Sequence, residues 1–302
     1  MENAFSVAIS GDRLSLIVTK LKPSGSVDTT WWTNGSFSIP SSTLGSEYTW
    51  TTGEYITGSP GLRSTTVTQA NDGSAILALT ASSKTNGTSG MFLLRLNQAG
   101  TSTTLYSNIS NTTIGNPYTE VRKIFSDNSG SFTLLGQGSG FHGGSSGSWD
   151  VIATKFNPAG QPLSGWGTGG DTFFTLPGTS WFNHLPSNDY ENLLDAIQLA
   201  DGKFLILEHY TGNANKLSLF RFNQSGQLDT SFGVNGYVDF YTYPGDTYRT
   251  GTLSLSESQI VVTSQSDLFF FDATSGTLQS RSFVNEGEIE SRRISWRLVG
   301  LS

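Results

Sequence analysis

Residues 217–226 read LSLFRFNQSG, a strand-like run of mostly apolar residues that ends in a polar turn closed by glycine. Asn opens such a turn by accepting hydrogen bonds from nearby backbone amides, and Gly supplies the positive φ that reverses the chain. The run therefore predicts a β-strand followed by a tight turn. The pattern occurs four more times, as LIVTKLKPSG (16–25), FLLRLNQAG (92–100), VIATKFNPAG (151–160) and LFFFDATSG (268–276).

Most copies of this motif are preceded by two strand-like runs and followed by one more. In the unit around residues 217–226 these runs are LLDAIQL (193–199), KFLILEHY (203–210) and YVDFY (237–241), and helical periodicity is absent nearly everywhere. Four-stranded units repeated radially are typical of a β-propeller. We therefore expect an all-β fold, a five-bladed β-propeller of four-stranded antiparallel blades. A two-domain β-sandwich is the structural alternative.

The first unit lacks its first strand. It begins with FSVAIS (5–10), whereas RRISWRLVG (292–300) is a strand-like run that has no unit of its own. We expect this C-terminal strand to join the first blade and close the ring, because closure leaves no exposed sheet edge there. The whole chain, 1–302, is then one propeller domain. Its expected blades are blade 1 (2–43 plus 290–302), blade 2 (62–116), blade 3 (117–177), blade 4 (190–242) and blade 5 (246–289).

The unit at residues 190–241 is the most regular, with DGK at 201–203, RFN at 221–223 and LDTSFG at 228–233. It resembles the bacterial delta-60 repeat, whose pattern combines DGK, RxNxDG and LDTSFGxxG. The resemblance implies a propeller-like repeat in surface, secreted or virion-associated proteins, and it brings no catalytic residues with it. Trp31, Trp166 and Phe232 occupy the aromatic position of the motif, and we interpret them as structural plugs between neighbouring blades.

The composition excludes several classes of protein. Only 14% of the residues are charged, the net charge is −7 and there is no cysteine, so disulfides and thiolate metal sites are excluded. An acidic chain without a Lys/Arg cluster is a poor candidate for binding nucleic acid. No signal-peptide pattern opens the sequence, and no run approaches the ~18 apolar residues of a membrane span. We expect neither membrane insertion nor a cofactor.

Long, irregular loops mark one face of the expected propeller as a candidate binding surface. In a meander blade the connections between the second and third strands and between successive blades share one face, and variable loops on a rigid scaffold commonly carry recognition. Packing of the aromatic loop side chains onto the propeller, a protein interface and a glycan site all remain open. The candidate residues on these loops, here named the aromatic loop set, are Tyr48, Trp50, Tyr55, His142, Trp149, Trp181, His184, His209, Tyr210, Tyr243 and Tyr248.

No catalytic or metal motif stands out. The three histidines fall in the aromatic loop set, but no two of them have the spacing of metal ligands, so we predict no metal site. Nucleophile-elbow, Walker and dinucleotide patterns are absent, and we predict no catalytic residue. A glycosidase would need two carboxylates across a sugar. The carboxylates considered for that role are Glu54, Asp150, Asp189, Glu191 and Asp195.

These observations lead to the expectation of a non-enzymatic, virion-type structural protein. It would be a bacteriophage head-decoration, tail or fibre component that displays loops for protein or host-receptor contact. Its partners would be other virion or surface proteins and host-surface glycan, and it would be found in the virion or outside the cell. The first alternative is a secreted or surface glycan-binding propeller, and the second is a glycoside hydrolase or lyase.

Overall fold

The computed structural model describes most of the regular structure of the chain. The described residues are 4–11, 15–44, 61–82, 89–97, 103–109, 120–139, 149–163, 166, 171–173, 190–211, 215–243, 250–256, 258–265 and 267–283. The chain forms two compact units, residues 1–191 and residues 192–302, and each is described by itself.

In the first unit the strands form antiparallel sheets of three or four consecutive strands. The first sheet contains β1 (Ala4–Ile9), β2 (Ser15–Leu21) and β3 (Ser36–Pro40), followed by a short 3₁₀-helix, Ser41–Leu44. The second contains β4 (Gly61–Gln69), β5 (Ala75–Ser82), β6 (Ser89–Leu96) and β7 (Thr103–Ile109). The third contains β8 (Glu120–Ser126), β9 (Phe132–Ser139), β10 (Trp149–Phe156) and β11 (Asp171–Phe173).

The second unit repeats this arrangement. One sheet contains β12 (Tyr190–Gln198), β13 (Phe204–Thr211), β14 (Asn215–Phe222) and β15 (Tyr237–Tyr243). The other contains β16 (Thr252–Ser256), β17 (Gln259–Ser264), β18 (Asp267–Asp272) and β19 (Leu278–Phe283). Strands that follow each other in sequence are neighbours in the sheet, so each sheet is a meander. The all-β prediction and the predicted strand runs within the described residues are confirmed.

Sheets of the first unit pack face to face through apolar cores. One face of β5 (Leu77, Leu79) packs with Leu16 and Trp31 of the first sheet, and its other face (Ile76) packs against the third sheet. A strand that is buried on both faces needs apolar residues at successive positions rather than at alternate ones. This explains the continuous run AILAL at residues 75–79.

The second unit has an equivalent core between its two sheets. Leu205, Leu207 and Leu219 pack there against Val262 and Phe271, all at least 99% buried. Burying a side chain of this size contributes about 1.5–3 kcal/mol relative to leaving it exposed. The apolar face of each sheet is therefore matched to the next sheet along the chain within the unit.

The glycine turns at residues 157–160 and 223–226 have one geometry, whereas the turn at residues 272–276 is one residue longer, with the Gly276 N–H bonded to the Asp272 carbonyl. Asn223 Oδ1 accepts the backbone N–H groups of Ser225 and Gln227, both at 3.0 Å, and Gly226 at φ +76° donates its N–H to the Asn223 carbonyl. The turn at Asn157 and Gly160 repeats these bonds. The predicted turn chemistry is confirmed, and it explains why Gly is required at the last position, where φ is positive.

The aromatic residues of the LDTSFG-like motif have the predicted structural role. Trp31 is 3% exposed within the core of the first two sheets, and Phe232 is fully buried between the two sheets of the second unit. Trp166 is 4% exposed. The predicted closing strand, residues 292–300, lies outside the described residues.

Candidate functional site

Most of the aromatic loop set falls outside the described residues. This applies to Tyr48, Trp50, Tyr55, His142, Trp181, His184 and Tyr248. The backbone of Trp149 begins β10 and that of Tyr243 ends β15, while their side chains are outside the description. The two remaining members, His209 and Tyr210, are fully described.

The loop position expected for His209 and Tyr210 is wrong. Both residues lie in β13, His209 is fully buried and Tyr210 is 3% exposed. The reason is that β13 and β14 pair almost to their ends, with His209 opposite Leu217 and Tyr210 opposite Lys216, so only residues 212–214 connect the two strands. The run KFLILEHY already predicts a strand through residue 210, and apolar residues on both its faces are typical of a buried strand.

Glu208, His209 and Tyr210 are consecutive buried polar residues at the end of β13, with Glu208 and Tyr210 on one face of the sheet and His209 on the other. Glu208 is 3% exposed and lies opposite Ser218 of β14. We name these three residues the β13 polar group. A charged carboxyl is costly to bury, and buried ionisable residues are candidates for functional sites for that reason. Glu208 is not among the site residues predicted from the sequence, although it is the carboxylate within the apolar run 203–210.

A row of polar groups continues from Glu208 across the same sheet. Ser218 donates a hydrogen bond from Oγ to Asp239 Oδ1 at 2.7 Å, and Lys216 Nζ lies 2.9 Å from Asp239 Oδ2. The side chain of Asp239 keeps 28% of its surface exposed. Two carboxylates, Glu208 on β13 and Asp239 on β15, thus flank Ser218.

Asp195, one of the carboxylates considered for catalysis, has a structural position. It is 8% exposed, and its two oxygens accept the backbone N–H groups of Ala196 and Leu253, both at 2.8 Å. The second bond joins β12 to β16, the first strands of the two sheets in this unit. Ser64 makes a comparable contact in the first unit by accepting the N–H of Val121 at 2.7 Å. These side chains hold the first strands of neighbouring sheets together.

The other carboxylates considered for catalysis are described less completely. Glu54 and Asp189 are outside the described residues. The backbone of Asp150 lies in β10 opposite Gly138, and that of Glu191 lies in β12. Within the described part of the chain, no group of three or more His, Asp or Glu side chains could hold a metal ion.

A charged clasp joins the two sheets of the second unit at the LDTSFG motif. Arg221, 4% exposed, donates from Nε to Asp229 at 2.8 Å and from Nη1 to the carbonyls of Ala273 and Thr274 at 2.8 and 2.7 Å. Burial acts to raise the pKa of Asp229, but hydrogen bonds from Lys203 and Ser231 and the charge of Arg221 outweigh it, so this pKa lies well below its usual value. The carboxylate is therefore ionised throughout the ordinary pH range.

No protein-family model matches the sequence, and no curated protein matches it. Among solved structures, a Penicillium chrysogenum alpha-L-arabinanase complexed with arabinobiose is 12% identical, with 91% of this chain and 76% of that chain covered and a TM-score of 0.52. The GH93 alpha-L-arabinofuranosidase of Fusarium graminearum with arabinobiose is 8% identical, with 93% and 77% covered and a TM-score of 0.52. A Dyadobacter fermentans protein of unknown function is 12% identical, with 92% and 70% covered and a TM-score of 0.51.

At such low identity these similarities show the fold alone: an all-β protein whose neighbours are propeller-like. They nevertheless contradict the expectation of a non-enzymatic virion component, because the two similar structures described by an activity are an arabinanase and an arabinofuranosidase. No finding supports a bacteriophage, tail or virion assignment. The missing sequence motif was a poor argument against an enzyme, because carboxylates on separate strands leave no local pattern. Within the described residues, no helix is long and apolar enough to cross a membrane.

Proposed function

We propose that this protein is a glycoside hydrolase that acts on a polysaccharide, with arabinose-containing glycans as the first substrates to test. The observation that carries the proposal is the fold similarity over more than 90% of the chain to the arabinanase and to the arabinofuranosidase, both with arabinobiose. Apart from His209 and Tyr210, which are buried in β13, the members of the aromatic loop set would contact the sugar chain. A polysaccharide substrate fits a protein that works outside the cell. The resemblance to the delta-60 repeat fits the same location.

The proposed fold is a single five-bladed propeller in which residues 292–300 complete the first blade. The support is that the first meander has three antiparallel strands, β1 to β3, whereas every other meander of consecutive antiparallel strands in the described chain has four. If those residues supply the missing strand next to β1, a chain in which residues 290–302 are moved in front of Met1 will fold with unchanged thermal stability. The closure would be refuted if the chain with residues 290–302 moved to the front failed to fold while a chain truncated at residue 289 kept the wild-type thermal stability.

Glycoside hydrolysis needs one carboxyl group as a general acid and a second as a base or nucleophile. Glu208 of the β13 polar group is our first candidate, because it is a carboxyl group that is only 3% exposed near the end of its strand. The candidate for its partner is Asp239, the other carboxylate that flanks Ser218 on the same sheet. Asp195 is not a candidate, since both its oxygens are used to hold backbone N–H groups of β12 and β16.

The test is release of reducing ends from linear arabinan, arabinogalactan and xylan by the full chain. General acid–base catalysis contributes about 10²–10⁴-fold, so Glu208→Gln is expected to lower turnover by at least ~100-fold. Asp272→Asn is the matched control: it is also a carboxyl-to-amide change, and Asn already occupies the equivalent turn position at Asn157 and Asn223. This variant should keep full turnover.

Two results would overturn the proposal. One is a folded wild-type chain that releases no product from any of the three polysaccharides. The other is full turnover in Glu208→Gln and in Asp239→Asn alike, which would remove both carboxylates offered here for catalysis. Thermal unfolding of each variant shows whether a loss of turnover reflects chemistry or folding.

A further inference from the structure

Glu208, Ser218 and Asp239 form one row of side chains across three strands of the sheet β12 to β15. The strand register places Glu208 opposite Ser218 and Ser218 opposite Asp239. Directly paired residues lie on the same face of a sheet, and so do residues two apart on one strand. Lys216, two residues before Ser218 on β14, therefore lies on the face that carries the row.

The fold does not require polar side chains at these positions. Ser218 stands eight residues before the turn glycine Gly226, and the residues eight before the turn glycines of the first unit are Ile17, Phe92 and Ile152. The residues that pair with these three, in the place of Glu208, are Ala8, Leu79 and Gly136. Apolar residues or glycine thus serve at both places in the first unit, so the polar row has a reason other than strand formation.

Both oxygens of the Asp239 carboxylate are held within this row. Ser218, 2% exposed, donates from Oγ to Oδ1 at 2.7 Å, and Lys216 Nζ lies 2.9 Å from Oδ2. The carboxylate cannot rotate without breaking one of these contacts, and hydrogen bonds of charged groups are the stronger ones. Its orientation is therefore fixed, while 28% of the Asp239 side chain stays accessible.

We propose that Lys216 and Ser218 are positioning residues that hold Asp239 in the orientation it needs to act together with Glu208. Whether the second carboxylate of a glycoside hydrolase is a base or a nucleophile, one of its oxygens must point at the reacting atom. A misplacement of about 1 Å can lower the rate about 100-fold. The role rests on the proposed function, and neither Lys216 nor Ser218 has to touch the substrate.

The first test is a comparison of two lysine variants on the polysaccharide that the wild type cleaves. Lys216→Met removes the ammonium group and should lower kcat by up to about 100-fold with little change in KM, whereas Lys216→Arg keeps a charged donor and should recover most of kcat. Lys155→Met is the matched control: Lys155 also lies 2.9 Å from a carboxylate, that of Asp127, and its side chain is 18% exposed against 21% for Lys216. It should keep the wild-type kcat.

Ser218→Ala separates positioning from strand packing. Because apolar residues occupy the equivalent positions in the first unit, this variant should keep the wild-type melting temperature and lose kcat. A lower melting temperature with an unchanged kcat would show that the hydroxyl serves the fold alone, and would overturn its positioning role.

The second test uses formate, the smallest carboxylate, as a probe of the two donors. Asp239→Ala leaves the Lys216 ammonium and the Ser218 hydroxyl in place without the carboxylate that they hold. Formate should raise the melting temperature of this variant and restore part of its turnover. The double variant Asp239→Ala/Lys216→Met should show neither effect.

The two tests distinguish failure of the positioning role from failure of the proposed function. In a chain that has turnover, equal kcat of Lys216→Met and Lys155→Met overturns the positioning role and leaves the proposed function standing. In a chain without turnover the proposed function fails, and formate still probes the hold on the carboxylate through the melting temperature of Asp239→Ala. A rise that is absent from the double variant supports that hold, and no rise overturns it.

Discussion

Replacing Arg221 by alanine should be among the most destabilising single changes in the second unit. The side chain is 4% exposed and lies 4.6 Å above the Phe232 ring, and it donates to Asp229, Ser231 and two turn carbonyls. A hydrogen bond from a charged group contributes about 1.5–3 kcal/mol, and breaking a buried ion pair costs about 3–5 kcal/mol. Asp229 keeps Lys203 as a partner at 2.8 Å, so we expect the low end of this range, ~3 kcal/mol.

The assay is urea unfolding of the full chain combined with hydrogen exchange on peptides from β14 to β18. Arg221→Ala should lower the unfolding free energy of these peptides, whereas exchange in the first unit should change little, because stability is local to cooperative segments. Lys22→Ala is the control: Lys22 is exposed in a turn of the first unit, and a surface substitution of this kind changes the unfolding free energy by about 0.5 kcal/mol or less. If the two variants differ by less than ~1 kcal/mol, the clasp does not join the two sheets as argued.

Three further predictions concern turns, pH and the strand contact. Gly276→Ala should lower the thermal unfolding midpoint more than Gly25→Ala does. Both glycines have positive φ, but only a Cβ at residue 276 would meet the Phe232 ring, at 2.8 Å. Equal decreases in the two midpoints would contradict this packing. The pKa of Asp229 is lower in the folded chain than its ordinary value, so the ionised carboxylate stabilises the fold above the ordinary carboxyl pKa, and this stabilisation is lost as pH falls below ~4. Urea midpoints measured from pH 7 to pH 2 should show the loss of stability, and Asp229→Asn should make that loss smaller. Asp195→Asn should lower the unfolding free energy by about 1–3 kcal/mol, because an amide nitrogen cannot accept a backbone N–H; unchanged melting would refute its strand-joining role.

Local chemistry made the strands and turns predictable. A turn such as Asn223 to Gly226 is determined by the side-chain oxygen of Asn and the positive φ of Gly, and both are visible in the residue types. The buried role of Phe232 could also be predicted, because an aromatic residue occupies the same position after three of the five glycine turns, as Trp31, Trp166 and Phe232. These features depend on residues that are close in sequence.

The candidate site depends on pairing between strands, which the sequence does not show directly. His209 and Tyr210 were expected on a loop because Gly and Asn residues follow them, whereas their burial results from the register of β13 against β14. The importance of Glu208 likewise appears only when its strand is known to be buried on both faces. A fold of this kind also serves different functions, so fold prediction by itself could not identify the chemistry.

Trp32 and Gly233 occupy equivalent positions, because each follows the buried aromatic residue of its motif and each has a positive φ, +47° and +56°. What the fold requires at this place is a contact to the turn of the next sheet, and an indole N–H supplies it in the first unit while a guanidinium supplies it in the second. Gly233 cannot be exchanged for a larger residue, because its Cβ would lie 2.1 Å from the Tyr237 carbonyl oxygen. The motif therefore changes in sequence between the two units while the hydrogen bonds of its turn stay the same.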